Sequence, residues 1–419
     1  MTSEIKQRIE QINNGQVPEG YFRTTAGIIP QEWRISPLGS LLEFKNGVNA
    51  DKGKYGSGIK MISVMDVLKN TPIHYNDIIG QVDIDENTLN TYCVNYGDIL
   101  FQRSSETAED AGKSNVYLDN EKTTYSGFVI RGKKKADYCP YFLNEALKKE
   151  EVRKQLIRNA AGSQHINIGQ KSLEKIEVCL PSATEQEKIA EILMKWDKSI
   201  ELQEKTIEKL HTKRDAVVQR VIKKKEGWHK EILSNILVER TEFATKEDGY
   251  PHASLTMDGV TQKTDRYNRD FLVKSDDKKY KVTHYNDICY NPANLKFGVI
   301  CVNKYENDAI FSPIYITYEV NPQYNTDFIG SILCSADFIR YIRKYEEGTV
   351  YERQAVKSSD LLRGVIWVPD TKEEQDQIAS IISEINTYIQ KQVDYCNSLK
   401  QQRKALQQYL LNGIVRVEV

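Results

Sequence analysis

Residues 184–222 read TEQEKIAEILMKWDKSIELQEKTIEKLHTKRDAVVQRVI, and the spacing of their apolar side chains decides the fold. Ile189, Leu193, Trp196, Ile200, Gln203, Ile207, Leu210, Arg214, Val217 and Val221 follow at alternating steps of four and three. This is the 3.5-residue seam along which one helix packs on another. A shift of 189 (378 − 189 = 189) lands on Ile378, Ile382, Ile385, Ile389, Gln392, Cys396, Leu399, Arg403, Leu406 and Leu410, with the polar members in the same two places. The repetition points to two long helices packed on each other, with Gln203/Gln392 and Arg214/Arg403 as register-setting polar layers. The other arrangement is each helix lying separately on its own domain. Pro181 and Pro369 close the preceding strands, Thr184 and Thr371 offer caps ahead of acidic first turns, and Gly227 and Gly413 end the helices. At 1.5 Å per residue the first helix would run roughly 58 Å. A pseudo-twofold relation between the copies would make the pair antiparallel.

The copy extends beyond the helices. Trp33 matches Trp228 (228 − 33 = 195), Asp98 matches Asp287 (287 − 98 = 189) and Pro181 matches Pro369 (369 − 181 = 188). A period this long means a whole domain with its connector, present twice. The resulting plan is an N-terminal helix in 1–19, where Ile5, Ile9 and Ile12 repeat the spacing up to Gly15, then a globular unit in 20–182. A helix over 183–225, a second globular unit in 226–371 and a helix with tail over 372–419 follow. Short apolar runs predict strands at Ile59–Val64, Asp98–Gln102, Phe128–Arg131 and Ile176–Leu180. Their counterparts are Ala253–Thr256, Asp287–Tyr290, Ile314–Tyr318 and Gly364–Val368. One helix is expected in each unit, Tyr141–Ile157 and Phe328–Tyr345, which makes the class α+β with two pseudo-symmetric globular domains joined by two long antiparallel coiled-coil helices. Trp33 and Trp228 read as core anchors.

The chain of 419 residues is 40% hydrophobic and 28% charged, with mean hydropathy −0.56. No run approaches 18 apolar residues, and Met1 to Gln16 lacks a signal-peptide core, so a cytoplasmic protein is expected. Seven cysteines form no CxxC pair and read as buried thiols. A net charge of −1 is not that of a free-standing nucleic-acid binder, so any DNA contact needs clustered basic residues or charge from a second subunit.

Catalytic motifs fail one by one. Gly112-Lys113-Ser114 lacks the first glycine of a phosphate loop, since Thr107 stands there. Asn291-Pro292-Ala293-Asn294 lacks the second proline and the aromatic of an adenine methyltransferase turn. The six histidines never fall at metal-ligand spacing, and the Asp83/Asp85 and Asp276/Asp277 pairs lie in hydrophilic stretches. No catalytic, cofactor or metal residue is therefore assigned. The loops that follow the predicted strands are instead suited to reading a surface. Gln102 to Ser114 carries Arg103, Ser104, Ser105 and Lys113, and Gly162 to Asn167 carries Gln164, His165 and Asn167. In the second half, Asn291 to Gly298 carries Asn291, Asn294 and Lys296, and Gly348 to Gln354 carries Tyr351 and Arg353. Arg can grip guanine and Asn or Gln adenine by two bonds, while Lys and Ser hold phosphates. These twelve are the candidate DNA-binding residues. Lys133-Lys134-Lys135 and Lys223-Lys224-Lys225 suit phosphate or solvent.

The run Leu180-Pro181-Ser182-Ala183-Thr184-Glu185-Gln186 through Leu193, with Lys213-Arg214 and Val221-Ile222 closing its helix, resembles the type I restriction-modification specificity subunits. Its second copy runs from Val368-Pro369-Asp370 through Glu374-Gln375 to Ile378-Ala379. Gly27-Ile28-Ile29-Pro30 to Trp33, Gly97-Asp98-Ile99-Leu100-Phe101 and Gly162-Ser163-Gln164 fit the same family. The second half departs in Asn286, where Gly is usual, and in Gly348 to Gln354, a loose match. The resemblance implies a subunit without catalysis whose two target-recognition domains read the halves of a bipartite asymmetric double-stranded DNA site. The helix pair would set the spacer and dock methyltransferase subunits, two in number, which hold S-adenosylmethionine and flip the target adenine. Motor-nuclease subunits would complete a restriction complex. Two rival readings remain open: a protein-protein scaffold with two binding domains on a coiled coil, and a recognition fragment of a fused restriction enzyme.

Overall fold

The computed structural model describes residues 2–162, 165–256, 259–262, 279–346 and 355–417. Their architecture is α+β, with two helices of 39 and 40 residues, Ala183–Val221 and Lys372–Leu411. All twenty seam positions on these helices are buried or half-buried. The chain divides into two compact units, Met1–Gln203 with Tyr395–Val419, and Glu204–Asp394.

In the first unit a four-stranded antiparallel sheet runs in the order Leu42–Asn46, Val129–Lys134, Ile99–Gln102, Ser114–Val116. Ile99–Gln102 is buried at every residue, as the apolar run Ile99-Leu100-Phe101 requires of an inner strand. A separate ladder pairs Arg34–Pro37 with Glu177–Leu180, so the chain enters and leaves the unit side by side. Trp33 packs edge-on against Phe142 in the core. The same core takes Ile189, Ala190 and Leu193 from the start of the first long helix and Leu410 and Leu411 from the end of the second. A short helix, Ser3–Asn13, precedes these elements, and its Arg8 donates to the carbonyl of Ile414.

The second unit repeats this plan. Its sheet runs Leu237–Glu239, Ile316–Val320, Ile288–Tyr290, Ile300–Val302, again antiparallel, and Trp228–Ile232 pairs with Val365–Pro369. Trp228 packs edge-on against Phe328. Ile378, Ala379 and Ile382 from the start of the second long helix lie in its core, with Val218, Val221 and Ile222 from the end of the first packed on it.

Three expectations need correction. Each single helix read from periodicity is two: Pro140–Leu147 and Glu150–Arg158, and Thr326–Leu333 and Ala336–Ile342. Lys149 and Ser335 at the breaks have extended backbones, which apolar spacing does not register. Ser335 caps the next helix by accepting from the Phe338 amide. Lys149 reaches back to the carbonyls of Ala26 and Leu411, the latter at the end of the second long helix. The strand expected from Ile314 instead begins at Ile316, because Tyr315 N–H closes a tight turn on the Ser312 carbonyl.

Arg403 was expected to be a register layer equivalent to Arg214, and the two differ. Arg403 donates to Asp197 at 2.8 Å and to Glu145 at 2.7 Å, and Gln407 adds a bond to Glu145. Tyr141 donates to Asp197 as well. Burial alone would raise the Glu145 carboxyl, but Lys148 and Arg403 outweigh it and hold the pKa below the ordinary value. Arg214 makes its ion pair with its neighbour Asp215. Removing one member of a buried ion pair costs about 3–5 kcal/mol, whereas replacing the set by apolar groups is close to neutral. Arg403→Met should therefore destabilise the first unit by about that amount, and adding Glu145→Leu should recover most of it, as read by chemical denaturation. The Glu145 contribution is present above its unfolded pKa and is lost as pH falls through the lower folded value, so Arg403→Met should also flatten the acid limb of stability.

Candidate nucleic-acid interface

Three strands of the first unit's sheet converge at one end, and the loops that leave it there gather most of that unit's polar residues expected to read DNA. Leu42–Asn46 runs out through Gly47, Val48 and Asn49, Ile99–Gln102 runs out through Arg103, and Val129 enters from a turn at Ser126–Phe128. Gly47 lets two backbones touch: a Cβ there would lie 2.1 Å from the Ser126 carbonyl oxygen. Its neighbour Val48 donates to the Tyr125 carbonyl at 2.9 Å. The Asn49 side chain lies against Gly127.

Arg103, Ser104, Ser105 and Asn167 are brought together here. Ser104–Ser105 pairs with Ile166–Asn167, and Ile168 N–H donates to the Arg103 carbonyl. Ser104 Oγ donates to Asn167 Oδ1, with His165 exposed beside it. The Arg103 amide donates to Phe128 O at 3.0 Å and its guanidinium to Gly127 O at 3.3 Å, so one residue braces the turn through both backbone and side chain. Lys113 is exposed and paired with Asp110 at 2.6 Å. Ser105 is buried and donates to Thr107 O, which commits it to the loop's own structure.

In the second unit Asn291 is likewise buried, its side-chain oxygen accepting from Ala293 N. Asn294 is exposed, and Lys296 lies over the ring of exposed Phe297. Gln164, Tyr351 and Arg353 lie outside the described residues. Sequence reading missed Asn49 and the exposed Lys52 and Lys54 that follow it. Phe128 and Ile314 were also missed as surface residues, because a bulky apolar side chain beside a strand reads as core. Among the described residues no group of three His, Cys, Asp or Glu is placed to hold a metal, and no helix is long and apolar enough to cross a membrane.

Each unit thus carries a four-stranded antiparallel sheet whose adjoining loops hold hydrogen-bonding side chains. Residues 30–212 match the Type I restriction modification DNA specificity domain. Over its length the chain is similar to the type I restriction enzyme MjaX specificity subunit of Methanocaldococcus jannaschii, at 23% identity across 96% of this chain and 97% of that one. Its fold is like that of the type I restriction-modification S subunit from M. genitalium, with TM-score 0.50, 14% identity and 92% and 96% of the two chains covered. It is also like a chain solved in work on complex assembly and conformational transition of the type I R-M system, with TM-score 0.60, 12% identity and 92% and 99% covered. The chain thus resembles the type I restriction-modification specificity subunits, through a matching domain in its first half and a similar protein along nearly its full length.

The turn that feeds each inner strand is stapled by a buried aspartate. Asp98 accepts from the amides of Asn95 and Lys134, and burial raises its pKa. Asp287 accepts from the His284 amide and from Arg240 Nε at 2.7 Å, and burial raises its pKa too. Gly97 and Asn286 precede them at φ +87° and +69°, so the second unit places asparagine, a residue that tolerates the left-handed region, where the first has glycine. The His284 ring lies between Glu242 at 2.8 Å and Asp308 at 2.9 Å. Burial works against the imidazolium, and the two carboxylates outweigh it and raise the pKa above 6.5. Stability from this group is full below the unfolded pKa and is lost as pH rises through the folded one. Hydrogen exchange of residues 284–291 between about pH 5.5 and 8.5 should show protection falling with pH, and His284→Gln should remove that component.

Proposed function

We propose that the chain is the DNA sequence-specificity subunit of a type I restriction-modification complex. Each unit carries one target-recognition domain, 20–182 and 226–371, and each domain reads one half of a bipartite asymmetric site. The observation that carries this reading is the same antiparallel sheet occurring twice, in a chain whose first half matches a DNA specificity domain. The polar loop residues at the sheet end, Arg103, Ser104, Asn167 and their neighbours, form the first half's reading surface.

The long helices act as an antiparallel coiled-coil pair that sets the unread spacer. Support comes from each unit's core, where the start of one helix is buried with the end of the other. A side-by-side pair running in opposite directions meets that condition at both ends. The same helices dock methyltransferase subunits, two of them, with restriction subunits as further partners. Ile381, Tyr388 and Tyr395 stand exposed at seven-residue spacing on one face of the second helix, and an open groove of about 510 Å³ lies along it, lined by Ser383, Glu384, Thr387 and Lys391. An apolar stripe on an otherwise hydrated helix suits a partner helix. The subunit supplies no chemistry, and S-adenosylmethionine belongs to the methyltransferase. With a net charge of −1, phosphate binding is shared with those partners, which act with this chain in the cytoplasm.

The test is to purify the chain with its methyltransferase and map methyl transfer. Methylation at a single split motif is expected, and methylation indifferent to sequence rejects the proposal. Deleting one heptad from each helix removes about 10 Å of rod, or about three base pairs of spacer, at 1.5 Å per residue and 3.4 Å per base pair. The shortened subunit should prefer a spacer shorter by that amount with both half-sites unchanged. Altered half-sites at constant spacer would overturn the ruler.

A further inference from the structure

Phe128 is 66% exposed and Ile314 is 58% exposed, and the strand ladders show that they are the same position in the two units. Ile130 pairs with Phe101, and Ile316 pairs with Tyr290. Phe101 and Tyr290 correspond at the chain's main offset (290 − 101 = 189), so Ile130 corresponds to Ile316 (316 − 130 = 186). The same shift takes Phe128 to Ile314 (128 + 186 = 314). The local sequences agree, Tyr125-Ser126-Gly127-Phe128 against Phe311-Ser312-Pro313-Ile314.

The two turns are built alike. Val129 N–H closes on Ser126 O at 2.9 Å, and Tyr315 N–H closes on Ser312 O at 3.0 Å. Tyr125 and Phe311, one residue before each turn, are fully buried and anchor it. Each turn is stiffened by different means. In the first unit Arg103 holds the carbonyls of Gly127 and Phe128 and Asn49 lies on Gly127. In the second, Pro313 occupies the turn position where its fixed φ is favourable. Turns of this size ordinarily carry Gly, Asn, Asp or Ser, and a bulky apolar side chain in water contributes nothing to the fold. One exposed apolar residue is unremarkable on a protein surface. The same exposure at the same turn in two copies that otherwise differ in sequence requires a common use.

Both turns adjoin the proposed reading loops. Phe128 stands opposite Arg103, where the first unit's inner strand runs into Ser104 and Ser105. Ile314 stands just before the strand opposite Tyr290, from which Asn291 to Gly298 departs. Given the DNA-reading function above, on which this inference rests, we propose that Phe128 and Ile314 are specificity-determining residues that each press an apolar tip on the 5-methyl group of a thymine in one half-site. The thymine methyl is the apolar feature of the major groove, and it is read by carbon contact rather than hydrogen bonding. Arg103, held against the Phe128 turn, would supply hydrogen bonds to adjacent base edges. The second unit would use Asn294 in the same way.

The test uses the full chain in complex with its methyltransferase and duplexes carrying its methylated split motif. Deoxyuridine replaces each thymine in turn, which removes only the methyl group. For the natural complex, one such replacement in each half-site should weaken binding by roughly tenfold, the scale of a single lost base contact. Phe128→Ser should abolish the sensitivity in one half-site only, Ile314→Ser in the other only, and Phe128→Leu should keep most of it. A natural complex indifferent to every deoxyuridine, or serine variants that retain both sensitivities, would overturn the inference while sequence-specific binding upholds the DNA-reading function. A natural complex with no preference for any split motif would instead overturn that function and this inference with it. Both side chains are exposed, so loss of folding is not an expected cause of either effect, and thermal denaturation of the serine variants checks this.

Discussion

Burial of the helix ends is the constraint on which the structure rests. Ile189 and Leu193 share a core with Leu410 and Leu411, and Ile378 and Ile382 share another with Val218 and Val221. Neither globular unit can complete its interior from its own strands and short helices alone. A core that borrows the end of a rod fixes the direction in which the rod leaves it. Aromatic anchors at the same place, Trp33 on Phe142 and Trp228 on Phe328, tie the entering strand to that core in both units.

The duplication is close in backbone and loose in chemistry. Asp98 and Asp287 staple equivalent turns, yet Asp287 has an arginine and a histidine around it and Asp98 is held chiefly by amides. Arg403 gathers Glu145, Asp197 and Tyr141, whereas Arg214 at the same heptad position forms its ion pair with its neighbour Asp215. Side chains on the shared scaffold have diverged in polarity while the apolar spacing persists. This is the pattern expected when packing sets the scaffold and each copy serves a different target.

The long-range plan was legible in the amino-acid sequence because it rests on periodicity. The heptad positions, the inner strands Ile99–Gln102 and Ile288–Tyr290 and the outgoing strands before Pro181 and at Pro369 all follow from apolar spacing. The helix breaks at Lys149 and Ser335 were not legible, because both halves of each pair continue one apolar face and the break lies in backbone angles. For the candidate site, the loops could be read and the commitment of individual atoms could not. Ser104 and Asn167 meet across a ladder of two residues on each side, too short to predict, while Ser105 and Asn291 turn inward to satisfy their own loops. Phe128 and Ile314 were hidden by the opposite error, since hydrophobicity was taken as a sign of burial. The repeated Ser-Gly-Phe and Ser-Pro-Ile turns were the available signal.

The first unit is discontinuous: it needs Tyr395–Val419 as well as Met1–Gln203, while the second is a single stretch, Glu204–Asp394. On the ribosome the second unit can therefore be finished before the first, although it starts later. At synthesis rates of about 5–20 residues per second, the nascent first unit waits roughly 10–40 s for Leu410 and Leu411 to emerge. During that interval the part of the first unit's core that Leu410 and Leu411 complete stands open. Translation order thus makes the amino-terminal head the one whose maturation depends on completing the whole polypeptide.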